Sequence, residues 1–232
     1  LLLVGCGKMG SALLAGWLTR GIAPARVHVI EPAPGPGTQA FAAAGVQCVA
    51  SAAELDPQLA PGTILLAVKP QAMAAALPPL VGLMSAEPLV ISIAAGRSMA
   101  SIAEVLGKDA AILRAMPNTP AAIGRGITVL CAGAKVSAAQ KESAEELLRA
   151  VGETAWIARE DLMDAVTAVA GSGPAYVFLL TEALAQAGVA AGLDAKLAAQ
   201  LARQTVVGSG AMLAEMPQEP AALRQDVTSP GG

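Results

Sequence analysis

The sequence has few aromatic and few charged residues, and this shortage limits what its core and its partners can be. Of 232 residues, 2% are aromatic, 14% are charged and 54% are hydrophobic. Disorder is excluded, because disordered chains combine low hydrophobicity with high net charge. The core must be built from Ala, Leu, Val and Ile, and the length suffices for one good-sized domain or two small ones.

Clusters of basic residues are also absent. The net charge is −3, from 15 Lys and Arg against 18 Asp and Glu, and no basic run occurs. Nucleic acids and anionic membrane surfaces bind clustered cations, so we expect neither as a partner. Two Phe, two Trp and one Tyr are too few for a platform on which bases stack.

Two uncharged stretches, 70–86 and 165–181, raise the question of a membrane span, since the mean hydropathy is +0.57. Pro78-Pro79 interrupts the first stretch and Gly171-Ser172-Gly173-Pro174 the second. A span needs about 20 apolar residues in a row. We therefore expect buried elements of a soluble protein, and no signal peptide, because the chain opens in a predicted strand.

Cysteine and histidine are scarce. Cys6, Cys48 and Cys131 are far apart, lie in apolar surroundings and form no C-x-x-C motif. This pattern predicts small buried thiols in a reducing compartment, and hence a cytoplasmic protein. His28 is the single histidine; it lies in an apolar run and is predicted to be structural. The cysteine spacing offers no metal site.

The first two thirds of the chain alternate short apolar runs with Ala-rich helical stretches. The predicted strands are Leu1–Val4, Val27–Ile30, Val46–Val49, Ile64–Val68, Leu89–Ile93 and Ala111–Ala115, with Ile127–Cys131 and Glu153–Ile157 as further edge strands. The predicted helices or helical turns are 8–20, 38–44, 52–60, 70–84, 98–107 and 137–150, and 32–37 is a predicted loop. Continuous apolar strands are typical of a parallel sheet covered by helices on both faces. The expected fold is α/β, a doubly wound, mainly parallel sheet.

From Glu160 onward the strand signals vanish. The stretches 160–187, 194–214 and 217–225 are predicted helices. We place a domain boundary near residue 158, which gives a Rossmann-like domain over 1–158 and an all-helical domain over 159–232. A helical unit of only about 70 residues is marginal alone, so we expect its apolar surface to pack on a second subunit.

A glycine-rich loop follows the first predicted strand and opens a helix. It reads Gly5-Cys6-Gly7-Lys8-Met9-Gly10. The first Gly permits the tight turn, the second lets the backbone approach a pyrophosphate, and the third lets helix and strand pack closely. The pyrophosphate would lie on the N–H groups at the helix N-terminus. In this strand–turn–helix context the motif predicts dinucleotide binding.

Glu31 ends the second predicted strand. A carboxylate there accepts hydrogen bonds from an adenosine ribose and repels a 2′-phosphate. No Lys or Arg occurs from 32 to 68 to bind such a phosphate, so the sequence favours NADH over NADPH. The alternative is a solvated Glu at a strand end.

Two other strand ends are candidates for the same site, because ligands of doubly wound sheets lie outside the carboxyl ends of the strands. Ala67-Val68-Lys69-Pro70 carries one of the rare charges, and Ala94-Ala95-Gly96 is small enough for close approach to a ring. Lys69 is alternatively a surface lysine at a helix start.

The glycine loop, Ala67-Val68-Lys69-Pro70 and four later motifs together resemble the Δ1-pyrroline-5-carboxylate reductase family. The later motifs are Met116-Pro117-Asn118-Thr119-Pro120, Glu160-Asp161-Leu162, Gly171-Ser172-Gly173-Pro174-Ala175-Tyr176 and Asp226-Val227-Thr228-Ser229-Pro230-Gly231-Gly232. They run in family order over essentially the whole chain. The resemblance implies reduction of pyrroline-5-carboxylate to L-proline with NADPH or NADH, the last step of proline synthesis.

The resemblance also implies an assembly and a set of site residues. The helical domain would form a homodimer, and some family members assemble five dimers. The cofactor would be held by Gly5, Cys6, Gly7, Lys8, Met9, Gly10, Glu31, Ala67, Val68, Lys69, Pro70, Ala94, Ala95, Gly96 and Asp226. The substrate carboxylate would meet backbone N–H groups of the segment that starts at Ser229 and includes Gly231 and Gly232, and Glu160 would help to line the pocket.

This sequence differs from the family pattern at two places. The family motif continues past Gly-Gly to a Thr whose hydroxyl is placed near the imine nitrogen. That residue would lie beyond Gly232, so no catalytic residue is assigned, and we expect the natural chain to extend past both ends given. Many relatives carry small or polar residues at the position of Glu31 and use NADPH.

Two other functions remain open at this point. A related imine or 3-hydroxy-acid dehydrogenase would share the architecture, but hydroxy-acid enzymes carry a catalytic Lys on the interdomain helix, and no Lys occurs between Lys141 and Lys196. A nucleotide-binding module without turnover would not need the segment that follows Asp226.

The chemistry of the implied reaction makes few demands on acid catalysis. A cyclic imine can arrive already protonated, so its reduction needs positioning more than a strong acid.

Overall fold

The computed structural model describes residues 1–229, which form two compact units. The first unit is Leu1–Ser172 and the second begins at Gly173. The boundary predicted near residue 158 stays a prediction.

The first unit is built on an eight-stranded sheet in the order β3-β2-β1-β4-β5-β6-β7-β8. The strands are β1 Leu2–Val4, β2 His28–Ile30, β3 Gln47–Val49, β4 Thr63–Leu66, β5 Leu89–Ser92, β6 Ala111–Met116, β7 Gly126–Ala132 and β8 Gly152–Trp156. All neighbours are parallel except β6 and β7, which are antiparallel. The predicted doubly wound, mainly parallel sheet is confirmed.

The core lies on both faces of this sheet. Leu3 and Leu65 pack into one buried cluster, and their chain neighbours Leu2 and Leu66 pack into another. Successive side chains of a strand point to opposite faces, so the continuous apolar runs fill both layers. Trp17 is fully buried, and its indole N–H donates to the Leu147 carbonyl at 2.9 Å.

Helices and helical turns connect the strands of the first unit. The α-helices are α1 Lys8–Thr19, α2 Pro36–Ala43, α3 Met73–Ala76, α4 Met99–Leu106, α5 Ala138–Leu148 and α6 Met163–Val166. The 3₁₀ turns are Pro24–Arg26, Ala52–Glu54, Pro70–Ala72, Pro78–Ala86, Thr119–Ile123, Arg149–Val151 and Glu160–Leu162, and a π-turn covers Thr167–Gly171.

Several predicted elements differ from those in the structure. The predicted helix over 70–84 is broken into turns around α3, because Pro78-Pro79 removes two helix N–H donors. The predicted stretch 52–60 is helical only at Ala52–Glu54. The predicted loop 32–37 already contains the start of α2, since Pro36 suits a first helical position.

The edge-strand prediction was right for β8 and wrong for β7. β7 pairs with both β6 and β8 and lies inside the sheet. The apolar run Ile127–Cys131, from which the strand was predicted, is compatible with an edge strand and with an interior strand, so it could not distinguish the two positions.

The second unit consists of three helices. They are α7 Gly173–Ala190, α8 Ala195–Glu215 and α9 Pro220–Asp226. No residue of α7 is buried, and α8 buries only Ala198 and Ala202. Helices α7 and α8 cross closely, because a Cβ on Gly188 would lie 3.1 Å from the Ala198 Cβ.

Candidate cofactor site

The glycine-rich loop joins the carboxyl end of β1 to α1. Gly5 has a φ of +92°, and a Cβ there would lie 2.9 Å from the Ala67 carbonyl oxygen. A Cβ on Gly10 would lie 2.3 Å from the Gly5 carbonyl oxygen, so neither position admits a side chain without movement. These contacts explain the first and third glycines as packing requirements of the strand–turn–helix unit.

Gly7 differs from the other two glycines of the loop. It precedes the first residue of α1, and a Cβ there would meet no atom within 4 Å. The space beside Gly7 is therefore open, at the helix end where unpaired N–H groups favour an anion. This cradle fits the pyrophosphate of a dinucleotide.

The side chains within the loop point in different directions. The Cys6 thiol is buried, 3.4 Å from the Ser11 hydroxyl, which donates to the Cys6 carbonyl at 2.9 Å. Lys8 is exposed at the start of α1, and Met9 packs against the core. The loop is thus anchored by its buried residues Gly5, Cys6 and Gly10, while Gly7 and Lys8 lie at the surface.

Glu31 lies against the glycine loop. Its Oε2 accepts the Cys6 backbone N–H at 2.8 Å, and its Oε1 accepts the Ala33 N–H at 3.1 Å. The first contact ties the side chain to the glycine loop, whereas the second is a local contact in an exposed turn. The carboxylate is half-buried and lies beside the anion cradle, and its contact with a ribose stays a prediction.

A cavity of about 480 Å³ opens beside this loop at the carboxyl ends of β1, β2 and β4. Small apolar side chains form most of its wall, which suits the flat ring of an adenine. Its lining includes predicted site residues of three segments: Gly5, Gly7, Glu31, Ala67, Val68 and Lys69. The structure therefore brings together residues that are up to 64 positions apart, from Gly5 to Lys69.

The remaining predicted cofactor residues of the first unit lie at the ends of β4 and β5. Ala94 is buried, Ala95 and Gly96 are exposed, and they do not line the described cavity. Arg97 donates from Nε to the Pro70 carbonyl at 3.1 Å. The loops 67–70 and 94–98 are thereby tied together.

Glu160 makes a contact that the sequence did not suggest. Its Oε1 accepts the Arg114 Nη1 at 3.1 Å and the Met99 backbone N–H at 2.7 Å. Arg114 is buried in the middle of β6. A charged residue inside an apolar strand run was the signal that could have singled out Arg114, but not its partner. The pocket-lining role of Glu160 stays a prediction.

The other predicted substrate and cofactor residues belong to the second unit. Asp226 ends α9, and Ser229 follows it; both are exposed. Gly231 and Gly232 lie outside the described residues. Their roles stay predictions.

Burial affects the ionisation of two cysteine thiols and of the histidine. Burial raises the pKa of the Cys131 and Cys48 thiols and lowers the pKa of His28. Cys131 is buried as predicted, whereas Cys48 is partly exposed at the sheet edge. Within residues 1–229, no group of three or more His, Cys, Asp or Glu side chains could hold a metal.

Comparison with known proteins gives two family matches. Residues 160–232 match the family described as pyrroline-5-carboxylate reductase dimerisation, and residues 1–96 match NADP oxidoreductase coenzyme F420-dependent. The helical part and the dinucleotide part of the chain are thus matched independently.

Curated relatives and solved structures are similar to this chain over nearly its whole length. A pyrroline-5-carboxylate reductase of Pseudomonas aeruginosa is 41% identical over 229 residues, which are 99% of this chain and 83% of the relative. The structure of the Coxiella burnetii pyrroline-5-carboxylate reductase has a TM-score of 0.89 at 36% identity and covers 100% of this chain and 85% of that one. The Plasmodium falciparum pyrroline carboxylate reductase with NADP bound has a TM-score of 0.83 at 31% identity, over 100% of this chain and 84% of that one. The chain belongs to the pyrroline-5-carboxylate reductase family.

Proposed function

We propose that this chain reduces L-1-pyrroline-5-carboxylate to L-proline with NADH or NADPH, as the last step of proline synthesis in the cytoplasm. The observation that carries the proposal is the open cradle at Gly7 beside the Glu31 carboxylate, in a chain that matches its relatives over 99% of its length. A nucleotide site alone would not distinguish this reaction from others. The family membership supplies the substrate class.

The residues of the first unit would bind and orient the cofactor. Backbone N–H groups at the start of α1 would hold the pyrophosphate, because those of Gly5 and Cys6 already donate to the Ile30 carbonyl and the Glu31 carboxylate. Glu31 would bind the adenosine ribose, and the loops 67–70 and 94–96 would bind the remainder. When bound, the reduced nicotinamide supplies the hydride that the C=N carbon of the substrate receives. Asp226 is proposed to lie close to the cofactor.

The residues near the end of the chain would bind the substrate carboxylate. Main-chain N–H groups of the segment that includes Ser229, Gly231 and Gly232 suit an anion, because glycine leaves the backbone accessible. The cyclic imine is more electrophilic once protonated and can arrive in that form from water. The protein then has to orient the ring and exclude water more than it has to supply a strong acid.

We propose that NADH is the preferred cofactor. The Glu31 carboxylate accepts the Cys6 and Ala33 N–H groups beside the glycine loop, so a 2′-phosphate bound next to it would meet a negative charge. Glu31→Ser should raise the ratio of kcat/KM for NADPH over NADH at least about tenfold, since about 1.4 kcal/mol of relieved repulsion gives that factor. Steady-state kinetics with both cofactors measure it.

Glu31→Gln is the matched control for this change. It keeps the size of the side chain and an acceptor oxygen for the Cys6 N–H but removes the charge. If charge sets the preference, Gln and Ser shift the ratio in the same direction. An unchanged ratio in both variants would show that Glu31 only fastens the loop.

We propose that the helical unit forms a homodimer and that several such dimers assemble into a higher oligomer. Tyr176, Phe178, Leu179 and Leu180 of α7 are each more than half exposed. By length and composition alone, Glu160–Ala190 also meets the criteria of a membrane span. Its match to a dimerisation family favours a second copy of this chain as the partner of this face.

A direct assay tests the proposed reaction. The full-length natural chain, given pyrroline-5-carboxylate, should consume NADH and form proline, followed by near-ultraviolet absorbance and amino-acid analysis. Turnover with a 3-hydroxy acid and NAD instead would favour the hydroxy-acid dehydrogenase. Cofactor binding without turnover of either substrate would favour the non-catalytic module.

A further inference from the structure

An ion pair between the buried Arg114 and the partly exposed Glu160, whose side chain is 27% exposed, lies close to the carboxyl ends of β5 and β6. The Arg114 side chain is 7% exposed and donates from Nη1 to the Glu160 Oε1 at 3.1 Å. Its partners in strand register are Ser92 on β5 and Cys131 on β7. The pair therefore stands beneath the loop 94–98, which follows β5.

The same carboxylate oxygen also holds the first residue of α4. Met99, which directly follows the loop 94–98, donates its backbone N–H to the Glu160 Oε1 at 2.7 Å. Helix N-terminal N–H groups lack partners within the helix and favour a negative charge. At its middle the loop is held by Arg97, which donates to the Pro70 carbonyl at 3.1 Å.

Stability alone does not account for a charged pair at this place. Replacing a buried ion pair by apolar side chains of similar size is often neutral or stabilising. Arg114 also carries a second terminal nitrogen, Nη2, which is buried without a hydrogen-bond partner in the described part of the chain. What the pair supplies beyond packing is a fixed acceptor for the Met99 N–H, and hence a fixed end for the loop.

We propose that Arg114 and Glu160 are positioning residues for the cofactor. Arg114 fixes the Glu160 carboxylate, and the carboxylate fixes the loop 94–98, whose first three residues are proposed to contact the cofactor. This inference rests on the proposed cofactor site. It assigns Glu160 a role in the geometry of the cofactor rather than in contact with the substrate.

The test separates positioning from stability. In the full-length chain, Glu160→Leu alone leaves the buried Arg114 guanidinium without its ion-pair partner and should lower the urea midpoint of unfolding. The double variant Arg114→Met/Glu160→Leu removes both charges and should regain most of that midpoint. It should nevertheless bind NADH about tenfold more weakly in a fluorescence titration, because the Met99 N–H has lost its acceptor and the loop its fixed position.

Two further variants sharpen the result. Lys135→Met/Asp109→Leu removes an exposed ion pair near the other end of β6 and should leave NADH affinity unchanged. Glu160→Gln keeps an acceptor oxygen and should lose less affinity than the double variant. Wild-type NADH affinity in the double variant, together with a recovered urea midpoint, would overturn the proposal. The titration needs no turnover, so a failure of the proposed reaction would be seen separately.

Discussion

The two units of the chain bury their apolar residues to very different extents. In the first unit, the side chains of β1, β4 and β5 are almost all inaccessible, including Leu2, Leu65 and Ile91 at 0% exposure. In the second unit, Phe178 and Leu179 of α7 are 65% and 62% exposed. Composition does not explain the contrast, since both regions are rich in Ala and Leu.

The difference shows which unit has a core of its own. A sheet with helices on both faces encloses its apolar side chains within one chain. Three helices can hide only the small stripe where α7 and α8 cross, around Gly188 and Ala198. The exposed face of α7 therefore needs a second surface, which we propose to be another copy of the chain.

The largest expected effect comes from a charge placed on that face. Phe178→Glu should abolish the dimer, because a carboxylate buried without a partner costs about 3 kcal/mol or more. Size-exclusion chromatography with light scattering measures the assembly. Val81→Asp, at a 47% exposed position of the first unit, is the matched control and should leave the dimer intact.

A Phe178→Glu variant that remains a dimer would contradict the proposal that the exposed face of α7 forms the interface. Partitioning of the wild-type chain into lipid vesicles would also contradict it, because the apolar face would then meet a membrane.

An intermediate effect is expected in the glycine loop of the first unit. Gly10→Ala should cost about 1–3 kcal/mol of stability, since its Cβ overlaps the Gly5 carbonyl and the loop must move. Gly7→Val should leave the urea midpoint near that of wild type and abolish NADH binding, because its side chain enters open space at the cradle. Urea unfolding and a fluorescence titration measure the two quantities.

Both glycine variants should remain dimers, because the interface is assigned to the second unit. Retained NADH affinity in Gly7→Val would refute the pyrophosphate site. A stable Gly10→Ala that binds NADH normally would show that the loop adapts more freely than its packing indicates.

The smallest expected effect concerns His28 on β2. Burial lowers its pKa below the ordinary value of 6.5, so the unfolded chain binds the proton more tightly than the folded one. The stability that neutral His28 contributes is then fully present above pH 6.5 and is lost as the pH falls below that value and through the lower pKa of the folded state. His28→Gln should flatten the pH dependence of the urea midpoint between about pH 7 and about pH 5. An identical slope in both proteins would contradict this account.

Much of the first unit could be predicted from local patterns. The strands were found because both faces of the sheet are buried, which makes each strand a continuous apolar run. Right-handed crossovers between parallel strands then predicted the doubly wound fold, but not the order of its strands. The interior position of β7 was missed, since an apolar run does not reveal whether a strand has one neighbour or two.

The site was predictable only where a motif is local. The glycine loop and Glu31 follow from strand–turn–helix spacing, and the structure joins them through the Cys6 N–H at 2.8 Å. The contact between Arg114 and Glu160 spans 46 positions, and no local periodicity links two such residues. The second unit was predicted to be helical. Its apolar surface was expected to pack on a second subunit, but the sequence did not show which residues of α7 form the exposed face.

The central claim is that this chain delivers a hydride from a nicotinamide to the C=N carbon of a cyclic imino acid. The most direct test incubates the full-length chain with pyrroline-5-carboxylate and NADH that carries deuterium at both C4 positions, followed by mass spectrometry of the proline formed. The account predicts one deuterium in each proline, at C5. Proline without deuterium, or consumption of NADH without proline, would contradict it.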